Sequence, residues 1–176
     1  MNKPLEIEYK YLIRYPDVTL LETMPQYKCQ NMTQLYLELP EGKDENGTRC
    51  RIREATEKGT SKYIKTFKTS LTDMTRIEVE SEISKEEYTS LSRYLRIGFS
   101  PIKKVRHSFF LNGFTYEVDI FPFWDDKAYL EIEVDSESTH PPIPDFIEII
   151  KDVTTDKRYR NTSLAQRILT DDLNSI

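Results

Sequence analysis

The feature that most constrains this chain is a strict alternation of charged and apolar side chains, first seen over residues 5–11. Because successive side chains of a strand point to opposite faces, Glu6, Glu8 and Lys10 would share one face, with the apolar residues on the other. Two carboxylates and an ammonium group on a bare surface would contribute little stability. The same three groups are well suited to a divalent cation and a polyanion, so the pattern predicts a strand with an ion-binding face.

The alternation recurs along the chain and predicts further strands at residues 34–39, 48–53, 62–68, 76–80, 102–110, 114–121 and 129–135. The acids that would share the charged face are Glu6, Glu8, Glu78, Glu80, Glu117, Asp119, Glu131 and Glu133. The bases are Lys10, Arg51, Arg53, Lys68, Arg76, Lys104 and Arg106. Antiparallel sheets commonly have one solvated side, and periodicity alone does not distinguish such a face from a polar tunnel lining. Like charges side by side are costly unless they share a partner of opposite sign, which favours a tunnel.

Local signals predict the connections between these strands. Ser84 and Glu87 form a capping-box pattern that begins a helix, with Gly98 at its expected end, and this helix should pack outside a sheet. Asn112-Gly113 predicts a tight hairpin. Shorter helices are predicted within residues 17–24 and 162–169 from their apolar spacing.

Composition limits the classes of protein to consider. A chain of 176 residues with 38% hydrophobic and 31% charged residues is expected to form one domain over residues 1–176. Its net charge of -5 argues against attraction to nucleic acid or an anionic membrane, so an anion site must be local. No stretch approaches the length of a membrane span. Two cysteines without a CxxC pair suit a reduced, cytoplasmic protein.

The charged residues point to a defined chemistry. Carboxylate clusters without histidine or cysteine suit Mg²⁺ or Mn²⁺, and arginine and lysine suit phosphate oxygens. A site with both would bind a metal-complexed polyphosphate. Phosphoryl transfer depends on positioning and charge neutralisation, so no nucleophilic side chain is required. The chain has neither a GxxxxGK[ST] loop nor a GxGxxG loop.

The segment Glu6-Ile7-Glu8-Tyr9-Lys10 resembles the ExExK signature of the CYTH, or triphosphate tunnel metalloenzyme, superfamily, and the chain is most similar to its short bacterial single-domain members. The resemblance continues through Arg51-Ile52-Arg53, Thr66-Phe67-Lys68, Arg76-x-Glu78-x-Glu80, Lys104-Val105-Arg106, Glu117-Val118-Asp119, Glu131-Ile132-Glu133 and Asp156-Lys157-Arg158-Tyr159. It implies an α+β fold in which a closed antiparallel β-barrel of about eight strands forms a polar tunnel, with a few helices packed outside.

The resemblance also implies roles for individual residues. Glu6, Glu8 and Lys10 would be catalytic, with Glu6 and Glu8 holding a metal that activates water. A second metal, again Mg²⁺ or Mn²⁺, would be held by Asp119, Glu131 and Glu133. Substrate phosphates would be bound by Lys10, Arg51, Arg53, Lys68, Arg76, Lys104 and Arg106, with Lys157 or Arg158 closing over the tunnel. Supporting roles would fall to Tyr36, Glu78, Glu80 and Glu117. Arg49 lies outside the two arginines that match the family, Arg51 and Arg53, and is predicted at the tunnel mouth or the surface.

The function predicted from these residues is metal-dependent hydrolysis of a linear triphosphate, with inorganic tripolyphosphate as substrate. The alternatives are a class IV-type adenylyl cyclase, a thiamine triphosphatase, and a non-catalytic module that binds polyphosphate or nucleotide. A cyclase needs an adenine pocket and a positioned ribose, for which the sequence offers no dedicated residues. A binding module would not need the metal ligands. The chain is expected to act as a monomer or homodimer on a small molecule.

Overall fold

The computed structural model of the chain describes residues 5–38 and 49–168. Within these ranges the strands pair antiparallel in a single sheet. They are β1 (Leu5–Arg14), β2 (Lys28–Leu37), β3 (Arg49–Glu57), β4 (Thr60–Ser70), β5 (Thr75–Ile83), β6 (Ile102–Leu111), β7 (Phe114–Ile120), β8 (Lys127–Glu133) and β9 (Ile149–Asp152).

The sheet closes on itself through the first part of β1. Its order is β5-β4-β3-β2-β6-β7-β8-β1-β9, and β1 also pairs with β5, where Glu6 lies opposite Arg76. The later part of β1 pairs on that same edge with β9, where Tyr11 lies opposite Asp152. The result is an eight-stranded barrel with β9 outside it, which confirms the fold implied by the family resemblance.

Outward-facing apolar residues form the core between the barrel wall and its covering segments. One cluster includes the fully buried Ile13, Tyr116 and Leu130, which pack against residues of the segment before β9 such as Ile143 and Ile147. Burial of this apolar side supplies most of the driving force for folding. It also leaves the polar side of the same strands facing the barrel interior.

The predicted hairpin and helices are present, with one correction to the helix limits. The helices are α1 (Val18–Leu21), α2 (Lys85–Leu91) and α3 (Asn161–Arg167). Asn112 and Gly113 both have positive φ, 52° and 86°, as a tight turn between β6 and β7 requires. The Ser84 hydroxyl accepts a hydrogen bond from the Glu87 backbone amide at 3.0 Å, so α2 is capped as predicted.

Helix α2 is shorter than the pattern ending at Gly98 predicts. It stops at Leu91, and a 3₁₀ turn over Ser92–Tyr94 follows. The next residues instead run beside the end of β2, where the Arg96 amide donates to the Tyr36 carbonyl at 2.9 Å. Pairing with this strand therefore replaces the last turn of the predicted helix. The helix packs on the outer wall as expected, since Tyr88 and Leu91 contact the cluster around Ile52.

Strand limits also differ from the predictions. Strand β2 begins at Lys28 because β3 and β6 pair with its polar first half, and β9 was not predicted. The ends of two predicted strands at Leu39 and Thr48, and the end of the last predicted helix at Leu169, lie outside the described residues. In the described part of the chain, no helix has the length and apolar character needed to cross a bilayer.

Candidate functional site

A cavity of about 370 Å³ lies inside the barrel, and its lining is dominated by charged side chains. Each barrel strand contributes at least one residue to this lining, and most charged members of the alternating pattern face inward. The predicted site residues found there are Glu6, Glu8, Lys10, Tyr36, Arg51, Arg53, Lys68, Arg76, Glu78, Glu80, Lys104, Arg106, Glu117, Glu131 and Glu133.

Asp119 is predicted as a metal ligand, but it lies behind the cavity lining. Its side chain is fully buried and accepts two hydrogen bonds from Arg106, Nε to Oδ1 and Nη2 to Oδ2, both at 2.7 Å. Lys104 pairs with the same carboxylate. In this conformation Asp119 positions two cations that face the cavity.

Lys157 and Arg158, expected to close over the tunnel, also lie outside the cavity lining. Tyr159 is buried in the core, whereas Lys157 and Arg158 of the same 3₁₀ turn have exposed side chains. Lys157 lies 3.7 Å from Asp73, and Arg158 pairs with Asp156 at 2.6 Å. The structure therefore does not bring these two residues to the site.

Two arginines without an assigned role line the cavity instead. Arg49 shares the alternating face of Arg51 and Arg53, so the sequence did carry a signal for it. Arg160 precedes α3 in an irregular segment and has no such periodic signal. Asn161 and Thr162 complete this part of the lining.

On the β1 and β5 side, acids and bases form a continuous network. Arg76 Nη1 donates to Glu8 Oε1 at 2.7 Å and lies 3.6 Å from Glu6 Oε2. Lys68 Nζ lies 3.1 Å from Glu6 Oε2 and 2.5 Å from Glu78 Oε2. Arg51 reaches Glu78 at 3.0 Å. Residues expected to bind metal and residues expected to bind phosphate therefore neutralise each other.

A second network lies across β1, β6, β7 and β8. Lys10 Nζ donates to Glu131 Oε1 at 2.9 Å, and Arg106 Nη2 donates to Glu131 Oε2 at 2.6 Å. Arg106 also pairs with Glu117. Burial alone would raise the pKa of Glu131, but Lys10 and Arg106 hold it well below the usual range. Glu131 is thus a buried, ionised anchor for two cations.

The carboxyl groups of Glu6 and Glu78 both contact Lys68, and their pKa values diverge. Burial and the interaction with the Glu6 carboxyl group raise the pKa of Glu78 to about 8. Burial would also raise the pKa of Glu6, but the interaction with the Glu78 carboxyl group and the charge of Lys68 lower it to about 2. Near neutral pH the pair therefore retains a proton on Glu78.

Tyr36 lines the cavity and also packs in a core cluster. Its hydroxyl accepts a hydrogen bond from Gln34 Nε2 at 3.1 Å, and its ring meets Phe99 edge-on. Burial raises the pKa of Tyr36 to about 12, which keeps the phenol neutral. A neutral hydroxyl at this place can donate to a phosphate oxygen or a water.

The charges of the described lining are nearly balanced. It includes nine basic and eight acidic side chains, most of which contact a partner of opposite sign. Pairing of buried charges avoids the large cost of leaving them uncompensated. An incoming polyanion must therefore draw lysines and arginines away from their carboxylates.

The donor set fits a hard divalent cation, with Glu133 as its clearest element. Glu133 lies opposite Glu8 in the β1–β8 register and has no cationic partner among residues 5–38 and 49–168. Burial and the nearby charges of Glu6, Glu117 and Glu8 raise its pKa. Carboxylates that repel one another in this way are stabilised by Mg²⁺ or Mn²⁺. In the described conformation the acids do not yet converge on one point, since Glu6 and Glu8 are held by Lys68 and Arg76.

Comparisons with known proteins agree with this barrel. The family model of the CYTH domain matches residues 4–169, so the chain belongs to the CYTH family. Over 117 residues it is 35% identical to an inorganic triphosphatase of Acetivibrio thermocellus, covering 66% of this chain and 70% of that protein.

Two solved structures share the fold. The crystal structure of the inorganic triphosphatase NE1496 is 27% identical, with a TM-score of 0.54 over 92% of this chain and 94% of that one. A conserved hypothetical protein of Pyrococcus furiosus is 29% identical, with a TM-score of 0.53 over 76% of this chain and 80% of that one.

Proposed function

We propose that this protein is a divalent-metal-dependent triphosphatase that hydrolyses the terminal phosphoanhydride of inorganic tripolyphosphate. The observation that carries the proposal is the lining of the closed barrel, where lysines and arginines from most strands surround one cavity beside a group of carboxylates. Two relatives described as inorganic triphosphatases, one by sequence and one by structure, support the same activity.

The basic side chains would bind and orient the substrate. Phosphate oxygens would replace the carboxylates that now contact Lys68, Arg76 and Arg51. Each charge-assisted hydrogen bond of this kind contributes about 1.5–3 kcal/mol. Lys10 and Arg106 are held in place by the buried Glu131, which keeps their charges directed at the cavity. Such fixed charges can stabilise the leaving phosphate without reorganisation during the reaction.

In the reaction, a water oxygen bonds to a terminal phosphorus while the bond from that phosphorus to the bridging oxygen breaks. Pyrophosphate leaves with the bonding electron pair, and orthophosphate carries the water oxygen. Glu6, Glu8 and Glu133 would hold the metal, which would supply charge neutralisation and lower the pKa of water. Burial within the barrel strengthens the electrostatic contacts of the chain's own groups.

The lining favours an inorganic triphosphate over a nucleotide. Its apolar residues among those described are Leu5 and Val153, and the aromatic ring of Tyr36 already packs against Phe99. This composition offers little surface on which a purine could stack. An adenylyl cyclase and a thiamine triphosphatase are therefore the less favoured enzymes. Retention of Glu6, Glu8 and Glu133 argues against a module that only binds phosphates.

The protein would act as a single domain on a small molecule, without nucleic acid or membrane. The net charge of -5 and the enclosure of the basic groups support this proposal. Free Cys29 and Cys50 are compatible with the reduced cytoplasm, and a cytoplasmic location stays a prediction. A monomeric or homodimeric state also stays a prediction.

Phosphorus NMR of tripolyphosphate incubated with the protein and Mg²⁺ or Mn²⁺ tests the proposed reaction. We expect equal amounts of orthophosphate and pyrophosphate, with no further loss of pyrophosphate and no product when chelator replaces the metal. A parallel incubation with ATP should yield no cyclic AMP. Unchanged tripolyphosphate under all these conditions would reject the proposal, and cyclic AMP would favour the cyclase.

A further inference from the structure

One part of the cavity lining carries positive charge that carboxylates of the described residues balance only weakly. It lies where the start of β3 meets the segment that leads into α3. Arg49 is the first residue of β3, and Arg160 immediately precedes α3. Arg49 Nη1 donates to Thr162 Oγ1 at 3.3 Å, which ties the two segments together. We refer to Arg49 and Arg160 as the arginine pair.

The arginine pair has fewer or longer ion pairs than most of the other basic residues in the lining. Within residues 5–38 and 49–168, Arg49 makes no ion pair with a carboxylate, and its hydrogen bond goes to the neutral Thr162. Arg160 has a long contact of 3.5 Å to the half-exposed Asp73. By contrast, Lys10 is fully engaged with the buried Glu131.

The two guanidinium groups also lie close enough to repel each other. Burial and the nearby charges of Arg76 and Arg49 lower the pKa of Arg160. Like charges that converge on a cavity with only one long ion pair, from Arg160 to Asp73, favour the binding of an anion between them. A phosphate oxygen could therefore bind the arginine pair without displacing a tightly held carboxylate, unlike at Lys68 or Arg76.

We propose that the arginine pair binds an unesterified terminal phosphate and thereby makes the tunnel selective for inorganic triphosphate over triphosphate esters. This inference rests on the proposed function, since it concerns the substrate of the same cavity. Each terminal phosphate of tripolyphosphate has three non-bridging oxygens and can carry two negative charges, which suit two planar guanidinium groups. In ATP the unesterified γ-phosphate would lie at Glu6, Glu8 and Glu133, where water attacks, so the arginine pair would meet the esterified phosphate. That phosphate has one oxygen and one charge fewer and adds a bulky group beside Thr162.

The test is calorimetric titration of the protein with tripolyphosphate and with ATP in the presence of chelator, so that binding is measured without turnover. Wild type should bind tripolyphosphate more tightly than ATP. In the Arg49→Gln/Arg160→Gln double variant, we expect the tripolyphosphate Kd to rise about tenfold or more, as loss of charge-assisted contacts predicts. The ATP Kd should change by less than about threefold, so that the selectivity largely disappears.

Two further variants separate this role from general charge loss. Arg14→Gln removes an exposed arginine that pairs with Glu148 outside the cavity, and it should leave both Kd values unchanged. Arg49→Lys/Arg160→Lys retains the charge but not the planar fork, so it should recover only part of the affinity. Because Arg49 is exposed, Arg49→Gln alone should fold normally and give the smaller effect in the same direction if the double variant is unstable.

Equal weakening of tripolyphosphate binding and ATP binding in the double variant would overturn the proposed selectivity. Unchanged Kd values would overturn phosphate binding by the arginine pair. These outcomes are distinct from failure of the proposed function. Wild type that binds tripolyphosphate selectively through the pair but does not hydrolyse it would reject the triphosphatase and retain the arginine pair. Hydrolysis of tripolyphosphate together with unchanged selectivity in the double variant would retain the triphosphatase and reject the role of the arginine pair.

Discussion

Arg76 Nη1 lies 2.7 Å from Glu8 Oε1, and this contact joins a residue expected to bind phosphate to one expected to bind metal. Lys68 makes the equivalent connection to Glu6 at 3.1 Å. Two opposite charges at such distances attract strongly when they are shielded from solvent. Each of these bases therefore competes with a cation for its carboxylate, and each acid competes with phosphate for its base.

This competition predicts effects of opposite sign for Arg76→Gln. Loss of the guanidinium releases Glu8 and increases the negative potential at the carboxylates, so Mn²⁺ should bind the free protein more tightly. Tripolyphosphate in the presence of chelator should bind more weakly, by about 1.5–3 kcal/mol for the lost charge-assisted contact. Titration calorimetry with each ligand measures both effects, and weaker Mn²⁺ binding would contradict the pairing described above.

Glu131 and Glu133 should respond differently to replacement by glutamine, although they are two residues apart on β8. Glu131→Gln leaves Lys10 and Arg106 partly uncompensated in the interior and should cost about 3 kcal/mol of unfolding free energy. Glu133 repels nearby acids in the metal-free protein, so Glu133→Gln should preserve or increase stability while weakening Mn²⁺ binding.

Urea denaturation with chelator and with Mn²⁺ distinguishes these two cases. The difference in unfolding free energy between the two conditions reports metal binding. This difference should be smaller in Glu133→Gln than in wild type. If Glu131→Gln is as stable as wild type with chelator, the anchoring role assigned to Glu131 is wrong.

The pH dependence of stability should report the proton held by Glu78. Its pKa rises from the ordinary value of 4.5 to about 8 on folding, so the folded state binds the proton more tightly than the unfolded chain. The resulting stabilisation is fully present below about pH 4.5 and is lost as the pH rises through 8. Glu6 has a lowered pKa and contributes the opposite dependence, but only below about pH 4.5.

Melting temperatures of the metal-free protein between about pH 5 and 8 test this relationship. Relative to Glu78→Gln, wild type should lose stability steadily as the pH rises, because the variant has no proton to release at this position. Subtracting the two curves removes the contribution of the other titrating groups. Parallel curves would show that Glu78 does not hold a proton in the folded state.

The strands and the set of charged residues that share one of their faces were predictable because both depend on a local pattern. Alternation at period two fixes which side chains share a face, and Glu6, Lys10 and Arg53 face the cavity as that pattern requires. The Asn112-Gly113 turn is similarly local. The assignment of the polar face to a tunnel came from the family resemblance, since periodicity alone left a solvated outer face open.

Features that depend on distant contacts were not predictable from the pattern. The partner of Lys10 is Glu131, far along the chain, so the sequence could not show that this acid is occupied by cations. Tyr159 is buried whereas Lys157 of the same turn is exposed, and pairing with β2 ends α2 at Leu91. Arg160 reaches the cavity only because α3 packs against the barrel.

The most direct test of triphosphate hydrolysis in this tunnel is a side-by-side measurement of initial phosphate release from tripolyphosphate, ATP and thiamine triphosphate, each with Mg²⁺ and with Mn²⁺. We expect the highest kcat/KM for tripolyphosphate with at least one of the two metals, and no phosphate release with chelator. Faster release from ATP or thiamine triphosphate, or no release from any of the three, would contradict it.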